Sequence, residues 1–306
     1  MSALDLTRRA MALSGLASLA APSLAPGQQG SVSTSNERQG LLVVPVMIND
    51  SGPYAFAIDS AANTSVVARD LAVGLALRDA GEVTMHTLVA SERAPTVRAD
   101  RLRTGELDAR DIRLVIAGRQ GLLGLDGLLG TDLLGGLRLV LSFRGRARAN
   151  VTRPRRRREY SFDGVRLDAR SAAAGEQRFN GLLLIDALSR SVPCKVIVDT
   201  GAKMTVINTA LARQAGAQPL MLPDGSNVSR VLSPTGRGAV AEAMLLPELR
   251  LGDAHLTRIP VLAGDFHTFG VWGLADTPAL LLGVDLLSLF KTVIIDLKRG
   301  ELLLDD

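Results

Sequence analysis

Cysteine occurs once in the 306 residues, at Cys194, histidine three times, at His86, His255 and His267, and aromatic side chains make up only 3%. A single thiol excludes an internal disulfide and any zinc or iron-sulfur site built from several thiolates. The three histidines are not spaced as a metal pair, so no metal or other cofactor is expected. Positive charge is scarce too: 35 Lys plus Arg stand against 31 Asp plus Glu, a formal charge of +4. With so few aromatics, that excess is small for a protein living on phosphate contacts, and no nucleic-acid partner is expected. What the chain does have is 47% apolar and 22% charged residues, the balance of a soluble protein large enough for two ordinary cores.

A mild apolar stretch without charge, Met11 to Ala25, follows Arg8 and Arg9 and is rich in Ala, Ser and Gly. At about 15 residues it is short for a ~30 Å hydrocarbon core, so residues 1–25 read as an export signal and 26–39 as a linker. The adjacent arginines are a loose match to a twin-arginine signal, ordinary secretion being the alternative, and the expected location is periplasmic or extracellular. The bland alternative, an amphipathic first helix, lacks a polar face.

The remainder is one pattern written twice. GLLVVPVMINDSGPYAFAIDSAANTSVV (40–67) aligns with GLLLIDALSRSVPCKVIVDTGAKMTVI (181–207). Each copy reads as an apolar run, a polar turn and a second apolar run ending in Asp, the signal for a β-hairpin. Further on, Leu102–Gly118 resembles Leu249–Gly264, LLGTDLL (128–134) repeats as LLGVDLL (281–287), and the runs Leu139–Phe143 and Thr292–Leu297 follow. Blocks recurring in one order mean tandem duplication with a pseudo-twofold axis. The expected architecture is all-β, with lobes at 40–150 and 179–306. Between them, residues 151–178 begin arginine-rich. A solvated inter-lobe linker is the main reading; contact of Arg153–Arg158 with an anionic surface, or a processing site, are the others.

An Asp ending a buried strand needs hydrogen-bond donors. The hydroxyls of Ser60 and Thr200 and the small-residue turns after Asp59 and Asp199 supply them. If the lobes pack through these turns, two carboxyls face each other and share one proton. Such a pair can hold a water, deprotonate it as it attacks a carbonyl, and protonate the oxygen.

The doubled Asp turn and the doubled LLG resemble the retropepsin-pepsin group of aspartic peptidases. Asp199-Thr200-Gly201-Ala202 matches that family's turn and Leu281-Leu282-Gly283 its second motif; in the first lobe Leu128-Leu129-Gly130 matches, but Asp59-Ser60-Ala61 carries Ala61 where the family has glycine. The resemblance implies two retropepsin-like lobes in one chain, a monomer with an internal pseudo-dimer. Asp59 and Asp199 would be the catalytic dyad, supported by Ser60, Ala61, Thr200 and Gly201. The substrate would be an extended polypeptide contacted by Ala62, Ala202, Gly236 and Gly238. No tyrosine lies between residues 68 and 159, which favours the retropepsin branch; flaps are expected around Val89–Val97, which lacks glycine, and Val231–Val240. The function implied is an aspartic endopeptidase. The alternatives are an exported, non-catalytic peptide-binding scaffold with a degenerate first motif, and a basic surface-adhesion protein. Asp132 and Asp285 read as helix N-caps, Cys194 as a packed strand residue, the histidines as surface or satisfied polar groups, and Trp272 as core or rim.

Overall fold

The computed structural model describes residues 40–143, 147–153, 161–162, 165–166, 171–178, 181–233 and 237–305. The expected export signal, the 26–39 linker, Pro154–Arg158 and Gly236 lie outside the described residues.

The first lobe runs β1 (Val43–Ile48), β2 (Ser51–Ile58), β3 (Val66–Ala68), α1 (Arg69–Gly74), β4 (Arg78–His86), β5 (Ser91–Thr104), β6 (Leu107–Ala117), β7 (Gly127–Leu129) and α2 (Thr131–Leu134), then β8 (Arg138–Ser142) and β9 (Arg148–Thr152). A small hairpin, β10 (Ser161–Phe162) and β11 (Val165–Arg166), precedes β12 (Ser171–Arg178). The second lobe repeats the series as β13 (Leu182–Ser189), β14 (Val192–Val198), β15 (Val206–Ile207), α3 (Thr209–Gln214), β16 (Gln218–Pro219), β17 (Val228–Leu232), β18 (Gly238–Leu251), β19 (Ala254–Ala263), α4 (His267–Val271), β20 (Ala279–Leu282), α5 (Val284–Leu287), β21 (Thr292–Asp296) and β22 (Glu301–Asp305).

Both predicted hairpins form, each with a two-residue turn. Asn49 and Asp50 in the first turn and Arg190 in the second take positive φ, the backbone a tight hairpin turn demands. The circuits match strand for strand. In the first lobe the order β1-β2-β7-β3-β6-β5 is closed by β1 against β5; in the second, β13-β14-β20-β15-β19-β18 is closed by β13 against β18. Closure buries the alternate residues of each strand: Leu42, Ile48, Phe56, Ile58, Leu102 and Leu114 are fully buried in the first barrel.

One buried pair shows how the copies diverged without changing the circuit. Phe56 faces Gly127 across β2 and β7, whereas Val196 faces Leu280 at the equivalent place. A large and a small residue have been exchanged across a parallel pair. A Cβ on Gly127 would lie 2.1 Å from the Phe56 ring and 2.4 Å from the Val66 carbonyl oxygen. Gly127→Ala is therefore expected to cost about 1–3 kcal/mol of stability, read as a lowered melting temperature. Adding Phe56→Val should recover part of the loss; a Gly127→Ala protein that melts like the parent would show that the pair is not packed this way.

The lobes join through β8 and β21, antiparallel with Val140 opposite Ile294 and Leu141 opposite Val293. Each of these pairs maps onto the other when the lobes are exchanged, so the pseudo-twofold axis passes between them. The joint is reinforced by buried Arg138, whose Nη2 and Nε donate to Asp296 Oδ2 at 3.1 and 3.3 Å, with Arg299 Nη1 donating to the same oxygen at 3.1 Å. The stretch read as an Arg-rich linker, 151–178, does more than connect. It supplies the end of β9 and the whole of β12, whose first half pairs with β22 and second half with β13.

The repeats differ in the connection before the second LLG strand: nine residues lie between Gly118 and Leu128, but sixteen between Gly264 and Leu281, and the longer connection contains α4. No helix among the described residues is long and apolar enough to cross a membrane.

Candidate active site

Asp59 and Asp199 stand at the ends of β2 and β14, where each strand stops pairing. Their amide N–H groups donate the last ladder bonds, to the carbonyls of Leu129 and Leu282. The next three residues turn back tightly, and each turn folds around its own carboxylate. Asp59 Oδ1 accepts from the N–H of Ala61 at 3.0 Å and of Ala62 at 2.9 Å; Asp199 Oδ1 accepts from Gly201 at 2.9 Å and Ala202 at 3.0 Å.

Hydroxyls lock the two turns to each other. Ser60 Oγ donates to the carbonyl of Val198 at 2.6 Å, and Thr200 Oγ1 donates to that of Ile58 at 2.8 Å. In return the Thr200 N–H donates to Ser60 Oγ and the Ser60 N–H to Thr200 Oγ1, each at 3.1 Å. Both residues are fully buried, so all four bonds exchange across the lobe boundary in a dry environment where an unmet partner would be expensive. Sequence reasoning assigned these residues to the support of the carboxyl pair, and the structure brings them together.

The carboxyls themselves are crowded. A Cβ built on Gly201 would lie 2.4 Å from Asp59 Cγ, so the Asp59 carboxyl presses on the opposite turn's glycine. Strict twofold symmetry would put the Ala61 methyl as close to Asp199. No such contact is physically possible, so the two turns cannot be strictly equivalent. The Ala61 methyl packs instead on the apolar cluster of the second lobe. Burial raises the pKa of Asp59 against the pull of its two backbone donors. For Asp199, 8% exposed, desolvation and then the Asp59 charge hold it well above the ordinary value of 3.8. The pair titrates as a unit.

A second layer, which sequence reasoning misread, holds the turns from below. Asp132 and Asp285 do not cap helices: Gly130 and Gly283 occupy the N-cap positions, and neither short helix has a side-chain cap. The two aspartates lie in the first turn and reach sideways instead. Asp132 accepts from Ser65 N and Oγ at 3.0 and 2.7 Å, and Asp285 from Thr205 N and Oγ1 at 3.0 and 2.8 Å. Ser65 Oγ in turn accepts from the Gly130 N–H, and Thr205 Oγ1 from that of Gly283. Desolvation raises both carboxyls. The recurrence of a hydroxyl residue six positions after each dyad Asp, together with the repeated Asp, was the available signal.

Ala62 and Ala202 have their main chain already committed. Their N–H groups serve the dyad carboxylates, and their carbonyls accept from Thr131 and Val284 at 2.8 and 2.9 Å. What they present to a ligand is a half-buried methyl group. Cys194 is buried in β14, and desolvation pushes its thiol up to about 12, the state of a packing residue rather than a nucleophile.

Two hairpins arch from the lobes. The first, β4 and β5, has its tip at 87–90, so it begins earlier than the expected Val89–Val97. It is not free of glycine: Gly81, at positive φ, sits where the register slips between Asp79 and Glu82. The second, β17 and β18, pairs Leu232 with Gly238. Leu88 of the first tip and Val231 and Ala239 of the second pack, with Ala61 and Trp272, against the cluster that includes Phe266 and Phe269. No group of three or more His, Cys, Asp or Glu among the described residues could hold a metal ion.

A family model described as aspartyl protease matches residues 44–133 and 178–286, one match in each lobe and together more than half of the chain. Among solved structures, a retropepsin-like aspartic protease from Rickettsia conorii is similar at 23% identity, over 44% of this chain and 86% of that one, with a TM-score of 0.29. The search of curated proteins returned no match.

Proposed function

We propose that this chain, which belongs to the aspartyl protease family, is an endopeptidase that cuts an extended polypeptide with a water activated between Asp59 and Asp199. The observation carrying the proposal is the reciprocal Ser60–Thr200 lock, which brings two buried carboxyl turns from opposite lobes against each other within one polypeptide. In the singly protonated pair, the ionised carboxylate takes a proton from the water as it attacks the peptide carbonyl. The protonated partner gives its proton to the carbonyl oxygen. The tetrahedral diol collapses when the carboxyl that took the water's proton passes it to the amide nitrogen, which leaves as the amine, while the other carboxylate recovers a proton from a diol hydroxyl. Flap and floor would hold the substrate as an added strand, main chain to main chain.

Ala61 supports a second reading, a peptide-binding scaffold without turnover, because its methyl group displaces one turn from the symmetric arrangement. Digestion of an unstructured protein from pH 3 to 7 separates them. Acid-favoured cleavage, blocked by a statine inhibitor whose hydroxyl imitates the tetrahedral carbon, is the expected result. Peptide binding with no cleavage at any pH would leave the scaffold.

A further inference from the structure

We propose that the tip of the first flap is latched onto the helix inserted in the second lobe by the His86–His267 pair, and that protonation of this pair releases the flap in mild acid. This goes beyond the catalytic reading, which sets only the consequence of release, access to the cleft.

Three contacts define the latch, all between lobes. His86, the last residue of β4, has Nδ1 3.2 Å from Nε2 of His267, the first residue of α4, and the rings stack at 5.5 Å with 21° between their planes. The Thr268 N–H donates to the carbonyl of Leu88 at 3.4 Å. The Leu88 side chain packs on the cluster holding Phe266 and Phe269, where Trp272 and Ala61 of the Asp59 turn also pack. The tip is preorganised for this by Thr87, whose Oγ1 accepts from the Ala90 N–H at 3.1 Å and donates to the Ala90 carbonyl at 3.0 Å. The receiving helix lies in the longer of the two equivalent connections, so the duplication alone does not account for the contact.

At neutral pH one imidazole donates N–H and the other accepts, a bond that needs both rings uncharged or only one of them protonated. Imidazole changes charge between pH 5 and 8. When both rings are charged, neither nitrogen can accept, and two like charges sit 3.2 Å apart. The other charged groups on the elements meeting here are Glu82, Arg93 and Glu92 of the hairpin, with Arg78, Asp79, Arg98, Asp100, Arg101 and Arg103 toward its far end, and Asp265 before α4. Glu82 and Arg93 pair with each other at 2.9 Å, and neither imidazole forms an ion pair among the described residues other than the contact between the two rings. Lowering the pH therefore weakens the latch while leaving the apolar seat to reform it on neutralisation.

The test uses the one tryptophan of the chain. Trp272 closes α4, stacks edge-on to Phe269 at 6.4 Å and borders the Leu88 seat. In full-length Asp59→Asn/Asp199→Asn protein, which requires no turnover, intrinsic fluorescence is followed from pH 8 to 4.5. A reversible change on acidification within this range is expected. It should be lost in His86→Gln and, separately, in His267→Gln, and kept in His255→Gln, whose ring lies 3.2 Å from Glu248. A titration that survives both glutamine variants, or a parent protein with no transition in this range, overturns the latch. Neither result bears on the dyad, whose failure would appear as absent cleavage in the unmodified enzyme.

Discussion

Asp199→Asn is expected to lower the rate of peptide cleavage by about 10²–10⁴-fold while raising the melting temperature at neutral pH. The two effects have one cause. Burial and the neighbouring Asp59 charge lift Asp199 above its ordinary value of 3.8. A carboxyl lifted in the folded state binds its proton more tightly there than in the unfolded chain. Its contribution to stability is complete below about pH 3.8 and is lost as pH rises through the folded value. At neutral pH the wild-type protein thus holds a proton that solvent would otherwise take, or a charge its surroundings resist, and asparagine removes both liabilities without changing shape. At pH 3 the protonated acid and the amide should melt alike. Asp59→Asn should be equally inactive and should also stabilise at neutral pH, since burial raises its carboxyl too and removing either charge relieves the same mutual repulsion. Thermal melts of both variants at pH 3 and 7, with cleavage assays alongside, check the pairing of effects. A variant that keeps its activity removes the dyad from the mechanism; one that loses stability at neutral pH contradicts the raised value.

Gly201→Ala is expected to lower cleavage by ~100-fold or more. The new methyl would sit 2.4 Å from Asp59 Cγ and Oδ2, inside any permissible contact, so the carboxyl must retreat by about an ångström. Displacements of this size cost on the order of 10²-fold in a reaction that depends on placement. Asp59 has little room to retreat, because its Oδ1 holds two backbone donors and its neighbour Ser60 is bonded across the lobe boundary. The reverse change, Ala61→Gly, relieves the other turn and is expected to raise kcat. It should lower stability by roughly 0.5–1 kcal/mol, glycine's entropic cost. Equal activity of Gly201→Ala and the parent would mean that the carboxyl does not work from this position.

Much of this protein can be read before it folds. The alternation of apolar residues, the polar turns after Ile48 and Leu188, and the repeated blocks determine two equivalent all-β lobes. The repeat also singles out Asp59 and Asp199 with their hydroxyl partners, because local hydrogen bonding and strand period act over a few residues and are written in order along the chain. Tertiary structure decided the rest. Asp132 and Asp285 have the composition of helix caps, yet their carboxylates satisfy donors 67 and 80 residues away, a choice visible only once β3 and β15 pass beside them. His86 and His267 are 181 positions apart and unremarkable in sequence. Only the closing of a hairpin from one lobe over a helix of the other brings their rings together. Packing across the lobe boundary is set by shape and by which groups escape water, and neither quantity has a period in the sequence.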